Sequence, residues 1–318
     1  MGDPRITATI PLKGLGGIAV NGGAAWVGVE GDGNKADYIA RVDLRTNQVV
    51  AKIPVPNVPG RKRIAATEDS VWVASTGLLE RIDLSTNEVV ARVMIPDRFI
   101  SAIEADSSAV WAVTIDRSGA GILVRVDPAR NEVVAKIPLG SQIVGYEDEV
   151  RIGAGSVWVI GARWLESSNT EYGSDLIRID PRTNAVVARI PVGGFDMVVG
   201  NRDVWVRFPA DGAFDGKFRG GEEERWLWTR VDVRTNKASE PFRFRDTGLA
   251  LVTSQGLWSV GYDEQENVRV TRFDPETLEI EARSEPIRSY FHDAVLDPKS
   301  GTVWISALDK LVRIDITE

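Results

Sequence analysis

The sequence contains no cysteine, a single histidine and no long apolar run. The absence of cysteine excludes disulfide bonds, thiolate metal sites and a cysteine nucleophile. No apolar run approaches the roughly eighteen residues of a membrane-spanning helix, and the first residues, MGDPRITAT, lack the apolar core of a signal peptide. We therefore expect no membrane span, whereas an exported mature domain and a cytoplasmic protein both remain open.

A net positive charge is also missing, since 46 Asp and Glu residues outnumber 38 Lys and Arg residues. The 318 residues carry a formal net charge of −8, so the chain lacks the basic surface that nucleic acid requires, and we expect no nucleic-acid partner. The sequence contains no pattern that resembles a Ser-His-Asp triad, a phosphate-binding loop or a dinucleotide-binding fingerprint. Composition and motifs together leave binding, or an unusual carboxylate-based chemistry, as the classes of function to consider.

A sustained helical period is likewise missing, and the chain is instead built on a repeated phrase. VVAKIPV at residues 49–55 returns as VVAKIPL at 133–139 and as VVARIPV at 186–192. Around these phrases, apolar residues rich in Val and Ile alternate or run over four to eight positions, which is typical of strands. The pattern predicts an all-β protein.

Two markers divide the chain into seven repeats. The first is a tryptophan in a VWV-like context, and successive copies lie 39 to 53 residues apart. Downstream of each comes Arg-x-Asp, followed in the first five repeats by an Asn that suits a tight turn. This range of spacings includes the usual length of one four-stranded propeller blade. We therefore predict a seven-bladed β-propeller of four-stranded antiparallel blades. The tryptophans are Trp26, Trp72, Trp111, Trp158, Trp205, Trp258 and Trp304.

Closure of the ring tests this prediction. The seventh repeat stops shortly after Asp315, before an outermost strand, while TATIPL at residues 7–12 aligns with VAKIPV at 50–55 but follows no marker of its own. We predict that residues 6–12 complete the seventh blade, since an open propeller would expose sheet edges. With 43% hydrophobic residues and no linker, residues 1–318 are expected to form one domain and a monomer.

The repeated VWV…RIDPRTNAVVARIPVGG resembles the YVTN-type seven-bladed propellers over nearly the whole chain, and more distantly streptogramin (virginiamycin B) lyase. The first resemblance implies the fold. The second implies a catalytic pair of histidines on the innermost strands and a metal-binding carboxylate, of which this chain offers one histidine, His292. We interpret the seven marker arginines as structural partners of adjacent strands rather than as an anion site.

Candidate site residues follow from aligning the repeats on tryptophan, which places charged residues where the innermost strands begin. The carboxylates are Asp148, Glu149, Asp196 and Asp293, with His292 beside them and Arg61, Lys62 and Arg63 on another blade. They would bind a small polar ligand or a cation, Ca²⁺ or Mg²⁺, with His292, Asp293 or Glu149 as the candidate catalytic groups. Alternatively, they only surround a column of water. We expect them to be solvated and to contribute little to stability.

Blades four and five depart from the repeat by long connections between their second and third strands. These connections hold the three tryptophans outside the repeat, Trp164, Trp226 and Trp228, together with other aromatic residues. Long loops on a rigid scaffold often carry function, so Trp164, Tyr172, Phe214 and Phe218 are candidate binding residues on the same face as the funnel. A lid packed on its own blades is the alternative.

Two functions therefore remain open. The first, which we favour, is a binding propeller that holds a small molecule or a protein at the face shared by the funnel and the aromatic loops. The second is a metal-assisted lyase or hydrolase, of the kind that the more distant resemblance implies, with its active site at the mouth of the channel.

Overall fold

The computed structural model describes residues 3–21, 23–31, 36–56, 63–96, 98–142, 149–160, 175–192, 194, 196–209, 226–243, 249–253, 256–263, 265–274 and 276–317. Within these ranges the chain consists of strands and turns, and helices are absent. Accordingly, nothing in the described ranges is a helix long and apolar enough to cross a membrane. The prediction of an all-β fold is confirmed.

The strands form seven antiparallel sheets that are arranged as the blades of a ring, and six of these sheets are made of consecutive strands. The first strand is β1 (Arg5–Pro11). Blade 1 contains β2 (Leu15–Asn21), β3 (Ala24–Val29), β4 (Tyr38–Asp43) and β5 (Gln48–Pro54). Blade 2 contains β6 (Ile64–Ala66), β7 (Ser70–Ser75), β8 (Leu78–Asp83) and β9 (Val89–Met94). Blade 3 contains β10 (Arg98–Ala105), β11 (Val110–Asp116), β12 (Ala120–Asp127) and β13 (Glu132–Gln142).

The remaining blades follow the same order from the innermost strand outward. Blade 4 contains β14 (Glu149–Gly153), β15 (Ser156–Ile160), β16 (Leu176–Asp180) and β17 (Ala185–Ile190). Blade 5 contains β18 (Asp196–Val199), β19 (Asp203–Pro209) and β20 (Trp226–Asp232), and its outer edge is split into β21 (Lys237–Ala238) and β22 (Phe242–Arg243). Blade 6 contains β23 (Leu249–Thr253), β24 (Gly256–Tyr262), β25 (Val268–Phe273) and β26 (Ile280–Arg283). Blade 7 contains β27 (Phe291–Asp297), β28 (Thr302–Ala307) and β29 (Lys310–Asp315), with β1 as its fourth strand.

The N-terminal strand closes the ring. Strand β1 pairs antiparallel with β29, from Arg5 opposite Asp315 to Pro11 opposite Lys310. It spans Arg5–Pro11 rather than the expected residues 6–12. Ile10 and Leu12 are buried beside Leu311 in a cluster that continues into blade 1. The predicted closure is therefore confirmed.

Each marker tryptophan packs against the blade that follows its own. Trp26 of blade 1, for example, lies in one cluster with Ile64, Val71 and Val73 of blade 2. The described residues contain one such hydrophobic cluster at every junction around the ring, including the junction between blades 7 and 1. The seven indole side chains are between 0% and 6% exposed. The repeated tryptophan is thus the residue that joins one blade to the next.

The marker arginines complete the same junctions. Each guanidinium lies over the tryptophan of its own blade, 4.7–5.9 Å from the ring centroid, where cation–π attraction is favourable. Arg41 also donates through Nη1 to the carbonyl of Leu84 and to Oδ1 of Asn87 in the next blade, both at 2.8 Å. Arg81, Arg125, Arg178 and Arg313 make the equivalent pair of bonds. Their structural role is as expected, but the bonds reach the next blade rather than an adjacent strand.

The turns that receive these arginines explain the rest of the repeated phrase. Oδ1 of Asp83 accepts the backbone N–H groups of Ser85 and Thr86 and their hydroxyl groups. The Ser85 hydroxyl, followed by these backbone bonds, lowers the pKa of Asp83 to about 2. The Asn of each turn takes a left-handed conformation, with φ between 55° and 59° at Asn47, Asn87, Asn131, Asn184 and Asn236. Asn tolerates that conformation better than most residues, and its side chain accepts the incoming arginine.

Deleting residues 1–12 should strongly destabilise the protein. The deletion exposes the edge of β29 and removes Ile10 and Leu12 from the core, a loss of about 3–6 kcal/mol for two buried aliphatic side chains. Urea unfolding should show the change, whereas removal of residues 1–3 should leave the midpoint nearly unaltered. A deletion variant as stable as the parent would contradict the closure by β1.

Replacing Trp72 with Ala should lower the free energy of unfolding by about 3–5 kcal/mol, as for other buried aromatic truncations. The indole is fully buried between blades 2 and 3, so the loss is one of packing. Val90→Ala, at an exposed position on the outer strand of the same blade, is the matched control and should change stability little. Equal effects of the two substitutions in chemical denaturation would refute the assignment of Trp72 to the junction.

Candidate functional site

The charged candidate residues cluster at the end of the ring where the innermost strands begin, which we call the entry end. Glu149 begins β14 and pairs with Ile160, Asp196 begins β18 and pairs with Arg207, and Asp293 lies near the start of β27. In the alignment of blades on tryptophan these three carboxylates occupy the same position. Their convergence follows from the repeat, because equivalent residues of a ring face the same channel.

These three carboxylates are buried. Glu149 is 0%, Asp196 3% and Asp293 8% exposed. The expectation that they are solvated was therefore wrong. The physical reason is that the innermost strands of neighbouring blades lie against each other, so a side chain at a strand start meets protein rather than open water.

Two of the carboxylates bind the backbone of the following blade. Oε2 of Glu149 accepts the backbone N–H of Met197 in blade 5. Oδ2 of Asp293 accepts the backbone N–H of Ile18 in blade 1, at 3.3 Å. The two bonds are equivalent in the repeat, since each donor follows the aligned inner-strand position by one residue. These carboxylates thus link successive inner strands and are held in fixed positions.

Arginines neutralise part of this negative charge. Asp196 forms an ion pair with Arg207 on the neighbouring strand, and both side chains are 4% exposed. Arg151 forms an ion pair with Glu149 through Nη2, and its Nη1 lies 3.5 Å from Oε2 of Glu104 in blade 3. Four carboxylates therefore lie with Arg151 and Arg207 in this part of the channel, and Arg63 holds the aligned position in blade 2, so the negative formal charge is in excess by one.

The charges of all four carboxylates affect the pKa of Arg151. Burial opposes the charge of its guanidinium, but the charges of Glu149, Glu104, Asp293 and Asp196 together outweigh that effect, so the pKa of Arg151 is raised. The pKa of the Glu104 carboxyl is also raised, by its partial burial among the inner strands and by the charge of Glu149, against the opposing influence of Arg151; the Glu104 side chain is 34% exposed. Arg151 therefore stays charged, while protonation of Glu104 is favoured.

Two further predicted site residues lie at the same end of the ring. His292 is exposed, at a bulge in the pairing of β27 with β28. Arg63 lies over the ring of Phe99 in blade 3, 4.4 Å from its centroid. Six candidate site residues fall outside the described residues, namely Arg61, Asp148, Trp164, Tyr172, Phe214 and Phe218. Lys62 also falls outside them.

The long connections of blades 4 and 5 join the blades beside the carboxylates. The chain leaves β15 at Ile160, the partner of Glu149, and it leaves β19 at Pro209, two residues beyond the partner of Asp196. The course of residues 161–174 and 210–225 lies outside the described residues. Trp226 and Trp228, expected in the second connection, belong to β20, and Trp228 is buried between blades 5 and 6.

Sequence reasoning missed Glu104 and Arg151. Each lies directly opposite the marker tryptophan of its blade, two residues beyond the alignment position that we considered. Ala19, Ala65 and Val198 hold the same position in other blades. A charged residue where the repeat is apolar was a usable signal.

An aromatic patch at the entry end was missed as well. The Tyr262 ring lies 6.4 Å from that of Tyr290 and 5.4 Å from that of Phe291, and its hydroxyl accepts the backbone N–H of Phe291. Tyr290 is 68% and the neighbouring Leu308 is 53% exposed. These residues belong to blades 6 and 7, not to blades 4 and 5, where aromatic binding residues were expected. Tyr290 and Phe291 lie within three residues of Asp293, Leu308 donates its backbone N–H to the carbonyl of Tyr290, and Tyr262 ends β24.

The described part of the chain contains no group of three or more His, Asp or Glu side chains that could hold a metal ion. Oε1 of Glu149 and Oδ2 of Asp196 instead face arginine side chains.

Comparisons with known proteins agree on the fold. No family model matches the sequence, and no curated protein matches it either. Among solved structures, the chain is similar to Kuenenia stuttgartiensis hydrazine synthase, with a TM-score of 0.69, 13% identity and 95% of each chain covered. It is also similar to the β-propeller domain of Myceliophteria thermophila Cps50 (Swd1), with a TM-score of 0.68, 11% identity and coverage of 99% of this chain and 100% of that one. At such low identity the likeness shows a β-propeller and no function.

Replacing Asp196 with Asn should lower the free energy of unfolding by about 3–5 kcal/mol, because it removes the carboxylate charge from a buried ion pair with Arg207. Glu104→Gln is the matched comparison. The folded-state pKa of Glu104 is raised, so stability gained by its protonation is present at low pH and is lost as pH rises through that pKa. Gln imitates the protonated form, and at neutral pH Glu104→Gln should therefore preserve or increase stability.

Urea unfolding of both variants at neutral pH measures the difference. Equal stability of Asp196→Asn and the parent would show that the Asp196–Arg207 pair contributes nothing in solution. A large destabilisation by Glu104→Gln would show that its contact with Arg151 outweighs the burial of its charge.

Proposed function

We propose that this protein is a non-catalytic binding scaffold whose entry end holds a small ligand that combines a positive charge with an apolar part. The observation that carries the proposal is the presence of four carboxylates, from blades 3, 4, 5 and 7, near the starts of the innermost strands: Glu104 and Glu149 contact Arg151, Asp196 pairs with Arg207, and Asp293 holds the aligned position in blade 7. Their formal charge exceeds that of Arg151, Arg207 and Arg63 by one. A concave site with one sign of charge in excess attracts a ligand group of the opposite sign.

The fixed positions of the carboxylates support binding. Glu149 and Asp293 are tied to backbone N–H groups of the next blade, and Asp196 is held by Arg207. A ligand would therefore meet a charge distribution that needs no rearrangement, and preorganisation of this kind favours affinity.

The apolar part of the ligand would find aromatic contacts at the same end of the ring. Tyr290 and Leu308 offer exposed apolar surface there, beside Tyr262 and Phe291. The aromatic residues Trp164, Tyr172, Phe214 and Phe218 belong to connections that join blades 4 and 5 next to Glu149 and Asp196. We propose that these connections contribute to the same site. This contribution would distinguish blades 4 and 5 from the rest of the ring.

The arrangement favours binding over catalysis. A general base needs a carboxylate or imidazole positioned to take a proton from the substrate, yet Glu149 and Asp196 are engaged by arginines and His292 is exposed at a bulge. The lyase or hydrolase alternative therefore receives no support from the described residues.

Titration with tyramine and with 3-(4-hydroxyphenyl)propionate tests the proposal, because the two probes share an aromatic ring and differ in the sign of their charge. Calorimetry should show saturable binding of the amine and at least roughly tenfold weaker binding of the acid. Tyr290→Ala and a variant in which a short Gly-Ser linker replaces residues 214–221 should each weaken the binding of tyramine.

Val50→Ala is the matched control, since Val50 is an exposed apolar residue on the outer strand of blade 1 and its loss should leave tyramine binding unchanged. Equal affinity for the acid and the amine would overturn the electrostatic basis of the proposal. Binding that survives both Tyr290→Ala and the loop replacement would place the ligand elsewhere.

A further inference from the structure

The opposite end of the ring, where the innermost strands finish, carries a cavity of about 500 Å³. We call this the exit end. Blade 1 supplies the floor, with Val20, Gly23 and Leu44, while blade 7 supplies one wall and blade 2 supplies Glu68 on the other side. The volume lies within the range of small-molecule pockets, about 300–1,000 Å³. The cavity is separate from the entry-end site proposed above.

One departure from the repeat, in blade 7, creates this cavity beside a turn of ordinary length in blade 1. The hairpin between β27 and β28 is two residues longer than its counterparts, since Val295 pairs with Trp304 whereas Ala19 pairs with Trp26. The equivalent turn in blade 1 is short and uses Gly23 at φ 75°, and the space in front of its Cα is open, with no atom within 4 Å of an added Cβ. The long turn of blade 7 therefore extends beyond the short turn of blade 1, and the cavity lies in the space that this difference leaves.

Hydrogen bonds hold the walls and floor in place. In the blade 7 turn, the buried Asp297 accepts the backbone N–H of Lys299 at 3.1 Å and the hydroxyl of Ser300. On the floor, Leu44 donates its backbone N–H to the carbonyl of Gly23 at 3.0 Å, and its own carbonyl accepts Nη1 of Arg313 at 2.7 Å. The cavity is thus preformed, and its floor is fixed by the arginine that joins blade 7 to blade 1.

Opposite charges face each other across the mouth. Nζ of Lys299 lies 3.9 Å from Oε1 of Glu68, and the two side chains are 76% and 82% exposed. An exposed pair of this kind contributes at most about 1 kcal/mol, so a ligand can separate the two groups at little cost. The side chains of Val20 and Leu44 supply the apolar part of the lining.

We propose that this cavity binds a small zwitterion with an apolar side chain, of the size of an amino acid or dipeptide. The ligand carboxylate pairs with Lys299, its ammonium group pairs with Glu68, and its side chain packs on Val20 and Leu44. Because such a ligand touches blades 7, 1 and 2 at once, its binding also stabilises the junction at which the two ends of the chain meet.

Glycyl-leucine is the probe for the test, with N-acetyl-glycyl-leucine and glycyl-leucinamide as analogues that lack the ammonium and the carboxylate charge. Calorimetry should show saturable binding of glycyl-leucine, with each analogue bound roughly tenfold more weakly or less. Glycyl-leucine should also raise the melting temperature. Glu68→Gln should weaken glycyl-leucine but not the acetylated analogue, and Lys299→Gln should weaken glycyl-leucine but not the amide.

Glu132→Gln and Lys136→Gln are the matched controls, since both residues are exposed on strand β13 of blade 3, and neither should alter binding. The proposal is overturned if glycyl-leucine does not bind saturably, if both analogues bind as tightly as the zwitterion, or if binding persists unchanged in Glu68→Gln and Lys299→Gln. Tyramine binding at the entry end should be unaffected by either cavity variant, so the two proposed sites are tested independently of each other.

Discussion

The contact between one blade and the next is the interaction on which the whole structure depends. A tryptophan buried at the junction supplies apolar area, and an arginine above it extends to the following turn, as Arg41 does to Leu84 and Asn87. Burial of this kind stabilises roughly in proportion to the area removed from water. Because each blade relies on its neighbour, a linear array would leave one junction unmade. The pairing of β1 with β29 and the bond from Arg313 to Leu44 supply it.

This dependence also limits where a ligand can bind. Both faces of each sheet are covered by neighbouring blades, so only the ends of the channel and the outer rim remain accessible. At the entry end, Glu149 and Asp293 serve the ring as well as the proposed site, since each accepts a backbone N–H from the next blade. At the exit end, a cavity lies where a long turn in blade 7 adjoins the short turn of blade 1. Each proposed site is associated with a local departure from the repeat.

The fold was predictable from the sequence because the repeated residues obey local constraints that a one-dimensional pattern retains. Trp26 and its counterparts, the Arg-x-Asp turns and residues 6–12 were sufficient for the blade number and the closure. The site was predictable only in part. Alignment placed Glu149, Asp196 and Asp293 at one level of the channel, but their burial depends on Arg207, Met197 and Ile18, which come from other strands or blades. Arg151 and Tyr290 were missed because neither belongs to the aligned level.

The register of the closing strand has a mechanical consequence. Arg5 lies directly opposite Asp315, and the pairing then runs away from both residues to Pro11 and Lys310. A force that pulls Arg5 and Asp315 apart would therefore break the hydrogen bonds of this strand pair one after another, in the unzipping geometry, rather than all together in shear. Although the ring is joined at seven junctions, it should yield to tension at low force, beginning with the separation of β1 from β29.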